Sequence, residues 1–410
     1  MRRAETASSG EEGVALTSLD IASGLALPTA HRTRRSRQWS VASGEDMTPG
    51  TSPREALEEA IRPALARPPC LVSFSGGRDS GAVLAAAASL ARREGLPAPI
   101  PATNVFRNAE NADETSWQEM LVRHLGLTEW IRVEHDDELD LIGPYAQRVL
   151  SANGLLWPAN AHFHLPLLDA AAGGSMLTGI GGDELYYAAQ RPRAAAVLSR
   201  QVRPQPRDLL SVGFAAAPGA VRRAVIARRS RAGLPWLRPA ALRRVTALMA
   251  AEAAAEPRVL AERLAWWRGM RYLRVGAASI ARIAEQTSTV LVHPLLAPRF
   301  WTAVAAAAPP LGFAARTDGV RHLFGDLLPS QMIERSSKAN FDEVFWTDRA
   351  RAFARDWDGS GIPDEWVDLG ELARHWATQR PIVPSSILLQ AAWLGSARRR
   401  VEQSLEGAVQ

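Results

Sequence analysis

Between residues 53 and 178 the chain alternates short apolar runs with longer helical stretches, and this rhythm limits its fold more than any other feature. Strands separated by helices of this length need crossover connections, which build a parallel sheet with helices on both faces. A helix is expected from Ser52-Pro53, where serine caps and proline suits the first turn, to about Ala66. Cys70-Leu-Val-Ser-Phe74 reads as a buried strand, and Ser80 to Arg93 as the helix that follows it. Ala102 to Phe106 reads as a second strand, Asn111 to Leu125 as a helix with capping-box spacing between Asn111 and Glu114, and Trp130 to Val133 as a third strand. Helices at about 139–152 and 163–172 precede a strand at Ser175 to Thr178, and from about 205 the chain reads as almost wholly helical. This divides the protein into a poorly ordered segment at 1–52, an α/β core at 53–204 and a mainly helical part at 205–410.

Composition excludes several classes of function. A net charge of +5 over 410 residues, with arginines spread along the chain and no long basic run interleaved with aromatics, argues against nucleic acid as a partner. No apolar stretch is long enough to span a bilayer, and Met1-Arg2-Arg3 leads into polar residues rather than a secretory apolar region. A single cysteine, Cys70, allows no disulfide within the chain and begins a strand, so it reads as a small core residue. Together these features predict a cytoplasmic location. Of 48 basic residues, Lys338 is the one lysine, which reads either as a position that needs a compact ammonium group or as a single lysine that survived by chance.

Ser75-Gly76-Gly77-Arg78-Asp79-Ser80 lies between a predicted strand and a predicted helix. Its glycines let the backbone approach an anion, and the helix N-terminus offers unpaired amides and the positive end of a dipole. Ser75 and Ser80 add hydroxyl donors, and Asp79 is placed to hold a magnesium ion on bound phosphates. The spacing is not that of a Walker loop, because no lysine follows the glycines. A second loop, Thr178-Gly179-Ile180-Gly181-Gly182-Asp183-Glu184, also follows a strand. Adjacent carboxylates repel and glycines cost backbone entropy, so this composition makes sense around a metal and a nucleotide. Strands of one parallel sheet end on one side, so both loops are expected at its carboxyl edge, with Asp79 and Asp183 on the same magnesium ion.

These two loops, in this order, resemble the signature loops of the asparagine-synthetase family among the PP-loop ATP pyrophosphatases. Asp113-Glu114, Val292-His-Pro-Leu-Leu296 and Arg335-Ser-Ser-Lys338-Ala-Asn-Phe341 extend the resemblance over about residues 55–345. It implies an α/β fold whose PP-loop core is adenine nucleotide α-hydrolase-like and Rossmann-like, completed by a large C-terminal helical part. It also implies an ATP- and magnesium-dependent amide-forming ligase that adenylates a carboxylate and then passes the acyl group to an amine or to ammonia. By matching positions, Ser73, Ser75, Gly76, Gly77, Ser80, Val105, Thr178, Gly179, Gly181 and Gly182 would bind ATP and its pyrophosphate end. Asp79 and Asp183 would hold the metal, and Lys338 and Asp183 would be catalytic.

The sequence also departs from that family. Glutamine-using members carry a nucleophilic cysteine after the initiator methionine, where this chain has Arg2, and too few residues precede Ser52 for a glutaminase domain. Leu25 to Trp39 looks like the tail of such a domain. Ammonia, if used, would therefore come from a glutaminase partner. Asparagine-forming members carry an acid where this chain has Ile180, and β-lactam-forming members carry a tyrosine and glutamate pair where it offers Val290, so neither place supplies a general base. These departures point to a tailoring or macrolactam-forming ligase similar to lasso-peptide cyclases, with a small-molecule or peptide carboxylate as substrate and a peptide-processing protein as partner. Aspartate-dependent asparagine formation and a catalytically silent nucleotide-binding scaffold are the competing expectations. His162-x-His164 reads as packing or helix entry rather than a metal site, and Trp266-Trp267 with Tyr272 as core rather than cleft.

Overall fold

The computed structural model describes residues 15–29, 50–186, 197, 200, 203–206, 208–229, 233–337, 339 and 341–409. At its centre is a five-stranded, all-parallel sheet of order β3-β2-β1-β4-β5. The strands are β1 (Cys70–Ser73), β2 (Ile100–Phe106), β3 (Ile131–His135), β4 (Ser175–Leu177) and β5 (Val290–Val292). Side chains of a strand alternate between the two faces of its sheet, so a strand covered on both faces has no polar side. On β1, Cys70 and Val72 enter one apolar cluster with α2 (Pro53–Leu65) and α3 (Arg78–Glu94), whereas Leu71 enters another on the opposite face. Leu177 and Met176 of β4 divide in the same way, and the second cluster takes in Ile280 and Ile283 of α6 (Arg271–Glu285).

Two helices explain why the loops stand where they do. Ser52 caps α2 as expected: its side chain accepts from the Glu55 amide while Glu55 reaches back to the Ser52 amide, with Pro53 in the first turn. The longer α3 starts at Gly77 without any side-chain cap, and its residues from Ser80 to Ala88 are all buried. An alanine-rich helix buried all round lies close to its sheet, and its N-terminus, without a side-chain cap, comes to the sheet edge.

Several elements differ from expectation, for local reasons. The predicted helix at Asn111 is a short 3-10 turn at Glu110–Ala112, and α4 (Thr115–His124) starts later, with Glu114 as an N-cap that makes no side-chain capping bond. Asp113 accepts from the Thr115 amide, while the Glu114 carboxylate is committed to Arg335. The helix expected from 139 begins at Pro144, because the Asp140 carboxylate accepts from the Ile142 amide and holds a turn ahead of it. The stretch beyond 205 contains β5, which pairs with β4 in register Leu177 to Val292. A three-residue strand inside arginine- and alanine-rich helices carries too little period to be seen.

Part of the N-terminal segment is built into the molecule. Helix α1 (Ser18–Ser23) carries a Thr17 capping box, and Asp20 forms a buried ion pair with Arg271 at 2.9 Å. Arg271 also donates to the carbonyls of Ala15 and Leu27. Leu19, Ala22 and Leu27 pack in an apolar cluster with Trp236, Trp376 and Leu388, the last from the C-terminal helix Ser385–Val409. No helix among the described residues is long and apolar enough to cross a membrane.

Candidate active site

Strand order reverses between β1, which continues to β2, and its other neighbour β4. The carboxyl ends of two strands at such a switch point diverge and leave a crevice, the usual ligand site of an open α/β sheet. Both glycine loops lie there and line a cleft of about 680 Å³. Ser73, Ser75, Gly77, Asp79, Ser80, Thr178, Gly179, Gly181 and Asp183 all contribute to its wall. Gly76 and Gly182 do not line it. Val105 lies on β2 between Asn104 and Phe106, which line an adjoining cavity of about 210 Å³, and it lines neither space. Lys338 lies outside the described residues; Ser336, Ser337, Ala339 and Phe341 on either side of it line the cleft.

The first loop is shaped by its own hydroxyls. Ser80 Oγ receives the Ser75 amide at 3.3 Å and lies 3.2 Å from Ser75 Oγ, which folds the chain back across the open end of α3. The second loop packs directly on the first, and glycine makes that possible. A Cβ at Gly179 would stand 2.5 Å from the Ser80 nitrogen, and one at Gly182 would stand 2.2 Å from Asp79 Cγ. A side chain at Gly179 would strike the backbone of the first loop and force the loops apart, and one at Gly182 would displace the Asp79 carboxylate. Asp183 opens the short helix α5 (Gly182–Tyr186), and its carboxylate meets that of Asp79 on the guanidinium of Arg316, which pairs with both.

Charge in this corner is finely opposed. Burial raises the Asp79 pKa, Arg316 pulls it back, and Asp183 adds a further upward push. Burial works against the Arg316 cation, yet the two aspartates hold its pKa above the ordinary guanidinium value. Asp79 Oδ1 is buried without a hydrogen-bond partner. Two hard carboxylates that already converge on one cation, one of them with an unsatisfied oxygen, fit a magnesium ion that takes its remaining ligands from phosphate and water. Among the described residues there is no group of three or more His, Cys, Asp or Glu side chains that could cage a metal without such help.

Three arginines tie the late segment to the loops. Arg335 forms a buried pair with Glu114, donates to the Gly76 carbonyl at 2.8 Å and stacks over Trp117 at 4.9 Å. Arg78 reaches Thr317 Oγ1 at 3.1 Å and the Ile333 carbonyl at 3.2 Å. Arg316 begins the helix α7 (Arg316–Phe324) and closes the third tie. Arg335 stands in the motif already quoted, whereas nothing local sets Arg316 apart from the other arginines.

Tyr272, assigned to the core from sequence, instead lines the cleft and donates to Glu184 at 2.6 Å. Burial raises the pKa of Glu184 and, with Glu184 beside it, that of Tyr272. His162 lies between the carbonyls of Ala159 and Leu139, in keeping with a packing role. Cys70 is buried, which pushes its thiol up to about 11.

His293, just after β5, sits 2.6 Å through Nδ1 from Thr178 Oγ1, and its Nε2 is buried without a hydrogen-bond partner. Burial, aided by nearby His164, lowers its pKa to about 4. The unfolded chain therefore takes up a proton as pH falls through the ordinary imidazole value near 6.5, while the folded chain declines it until about 4. Stability is accordingly lost as pH falls across this window, by up to about 1.4 kcal/mol per pH unit for this group. Urea unfolding at pH 7 and pH 5 should show that decline, and a His293→Asn variant should show a shallower one; equal slopes would count against the assignment.

The family model for asparagine synthase matches residues 53–391. No curated protein gives a significant match to the chain.

Proposed function

The chain belongs to the asparagine synthase family, a family of ATP-dependent amide-forming ligases, and from that premise we propose that it joins a carboxylate to an amine by way of an acyl-adenylate, in peptide or natural-product tailoring such as macrolactam formation. The observation that carries this reading is the contact of the two loops, with Gly179 and Gly182 seated on Ser80 and Asp79 and the two aspartates sharing one cation.

The chemistry follows from the groups on that wall. A substrate carboxylate oxygen attacks the α-phosphorus of ATP, the bond to pyrophosphate breaks, and the acyl group is left on AMP. Ser75, Ser80 and the N-terminus of α3, which line the cleft, would receive the departing pyrophosphate. Magnesium, held by Asp79 and Asp183, would neutralise part of the phosphate charge. Lys338 would supply an ammonium group to the charge that develops between phosphate and carbonyl. The amine nitrogen then forms the C–N bond as the C–O bond to AMP breaks. Holding both reactants in one cleft supplies much of the acceleration.

Free aspartate suits the cleft less well. Its second carboxylate needs a cation, and the described cations on the wall, Arg78, Arg316 and Arg335, are all engaged within the chain. Exchange of radiolabelled pyrophosphate into ATP tests the proposal, with aspartate set against peptides that bear a side-chain carboxylate. Peptide-dependent exchange with AMP release is expected. Exchange with aspartate alone would establish asparagine formation instead, and ATP binding without AMP release on any carboxylate would leave a silent scaffold.

A further inference from the structure

Beyond the phosphate loops, the cleft has a second lobe of different chemistry. Helix α6 presents Tyr272, Gly276 and Ile280 at four-residue spacing, and Leu273 with Ala277 beside them, so one continuous face of the helix forms a wall. Ile180 from the second loop and the indole of Trp157 complete the enclosure. Tyr272 meets Trp157 edge to face at 6.1 Å. Glu184, next to Asp183 in the chain, also lines the cleft, and its carboxylate is held by the Tyr272 hydroxyl at 2.6 Å.

We propose that this lobe is the acceptor site and that it selects a primary amine carried on an apolar, preferably aromatic, body, with the nitrogen received by Glu184. The inference rests on the ligase reading and adds the class of nucleophile to it. Ammonia would leave the apolar wall uncovered, and an amino acid such as aspartate would place a charged carboxylate against Leu273, Ala277 and Ile280, at a cost that hydrocarbon walls do not offset. An apolar amine satisfies both ends: its body covers the helix face and its N–H groups reach a carboxylate that Tyr272 has already oriented. The bound ammonium first loses one proton to solvent, which frees the nitrogen lone pair; its attack on the acyl-adenylate then forms the C–N bond, releases AMP with the bonding electrons of the broken C–O bond, and returns a second nitrogen proton to solvent.

Isothermal titration calorimetry on the full chain, with and without ATP and Mg²⁺, can test this using 2-phenylethylamine, 2-phenylethanol, ammonium chloride and aspartate. The amine should bind saturably and about tenfold or more tighter than the alcohol, which shares its body but lacks its charge. Glu184→Gln should erase that preference and leave alcohol binding as it was. Gly276→Leu should abolish binding of both, since a Cβ there already points at Pro158 and Trp157, each 3.7 Å away. Thermal unfolding by circular dichroism checks that each variant is folded, and Ala277→Phe blocks the same face if Gly276→Leu does not fold. The proposal is overturned if 2-phenylethylamine does not bind, if aspartate or ammonium binds as tightly, if blocked variants retain the amine, or if Glu184→Gln keeps the tenfold preference. Because binding is measured apart from turnover, a chain that takes the amine but forms no AMP would sink the ligase reading and leave the lobe assignment standing.

Discussion

Asp183→Ala is expected to lower pyrophosphate exchange and AMP formation by about 10²–10³-fold or more, the loss typical when one preorganised electrostatic contact to a reacting centre is removed. Asp183 is more than half exposed on its side chain, so its removal should leave the fold largely intact. Asp79→Ala is expected to lose as much activity, although Asp79 is more deeply buried. A structural account of the same aspartates makes a different forecast. If they served only as counter-ions for Arg316, the wild-type chain would gain no thermal stability from Mg²⁺ with ATP beyond that from ATP alone. The ligand-site account expects an extra upward shift in the wild type and its loss in Asp183→Ala, measurable by differential scanning fluorimetry. Wild-type turnover in Asp183→Ala would falsify the role given to that residue.

Arg335→Met should destabilise the protein by about 3–5 kcal/mol, because it leaves the Glu114 carboxylate buried without its partner. Urea unfolding measures that loss. The double variant Glu114→Gln with Arg335→Met should recover a good part of it, since an uncharged pair no longer leaves an isolated charge. Activity should not recover with it. Arg335 also holds the Gly76 carbonyl and the Ser337 carbonyl, so it joins the first loop to the segment that carries Lys338. Recovery of exchange together with stability would show that this tie has no part in the chemistry.

What could be read from the sequence was what depends on near neighbours. The β1-loop-α3 unit stood out because strand, glycines, serines and helix occupy consecutive residues, and Ser52 announced its helix because its partner Glu55 lies three residues away. The packing of the two loops was legible at one remove, through the rule that parallel strands end together. Arg316 was not legible, since its partners lie 237 and 133 residues earlier in the chain. Tyr272 was misjudged for a similar reason: an aromatic beside two tryptophans looks like core until the fold sets Glu184 against its hydroxyl. The start of α4 was misplaced because Glu114, which has the spacing of a capping residue, spends its carboxylate on Arg335.

The union of Asp20 with Arg271 bears on how this enzyme can be trimmed. The family match begins at residue 53, an inviting point at which to cut. A chain shortened there would lose α1, strip a buried guanidinium of its acid and of two carbonyls, and do so one residue before Tyr272. The damage would surface at the α6 wall of the cleft, far along the sequence from the scissors, and a truncated preparation that still bound ATP could be mistaken for a chain with no taste for amines.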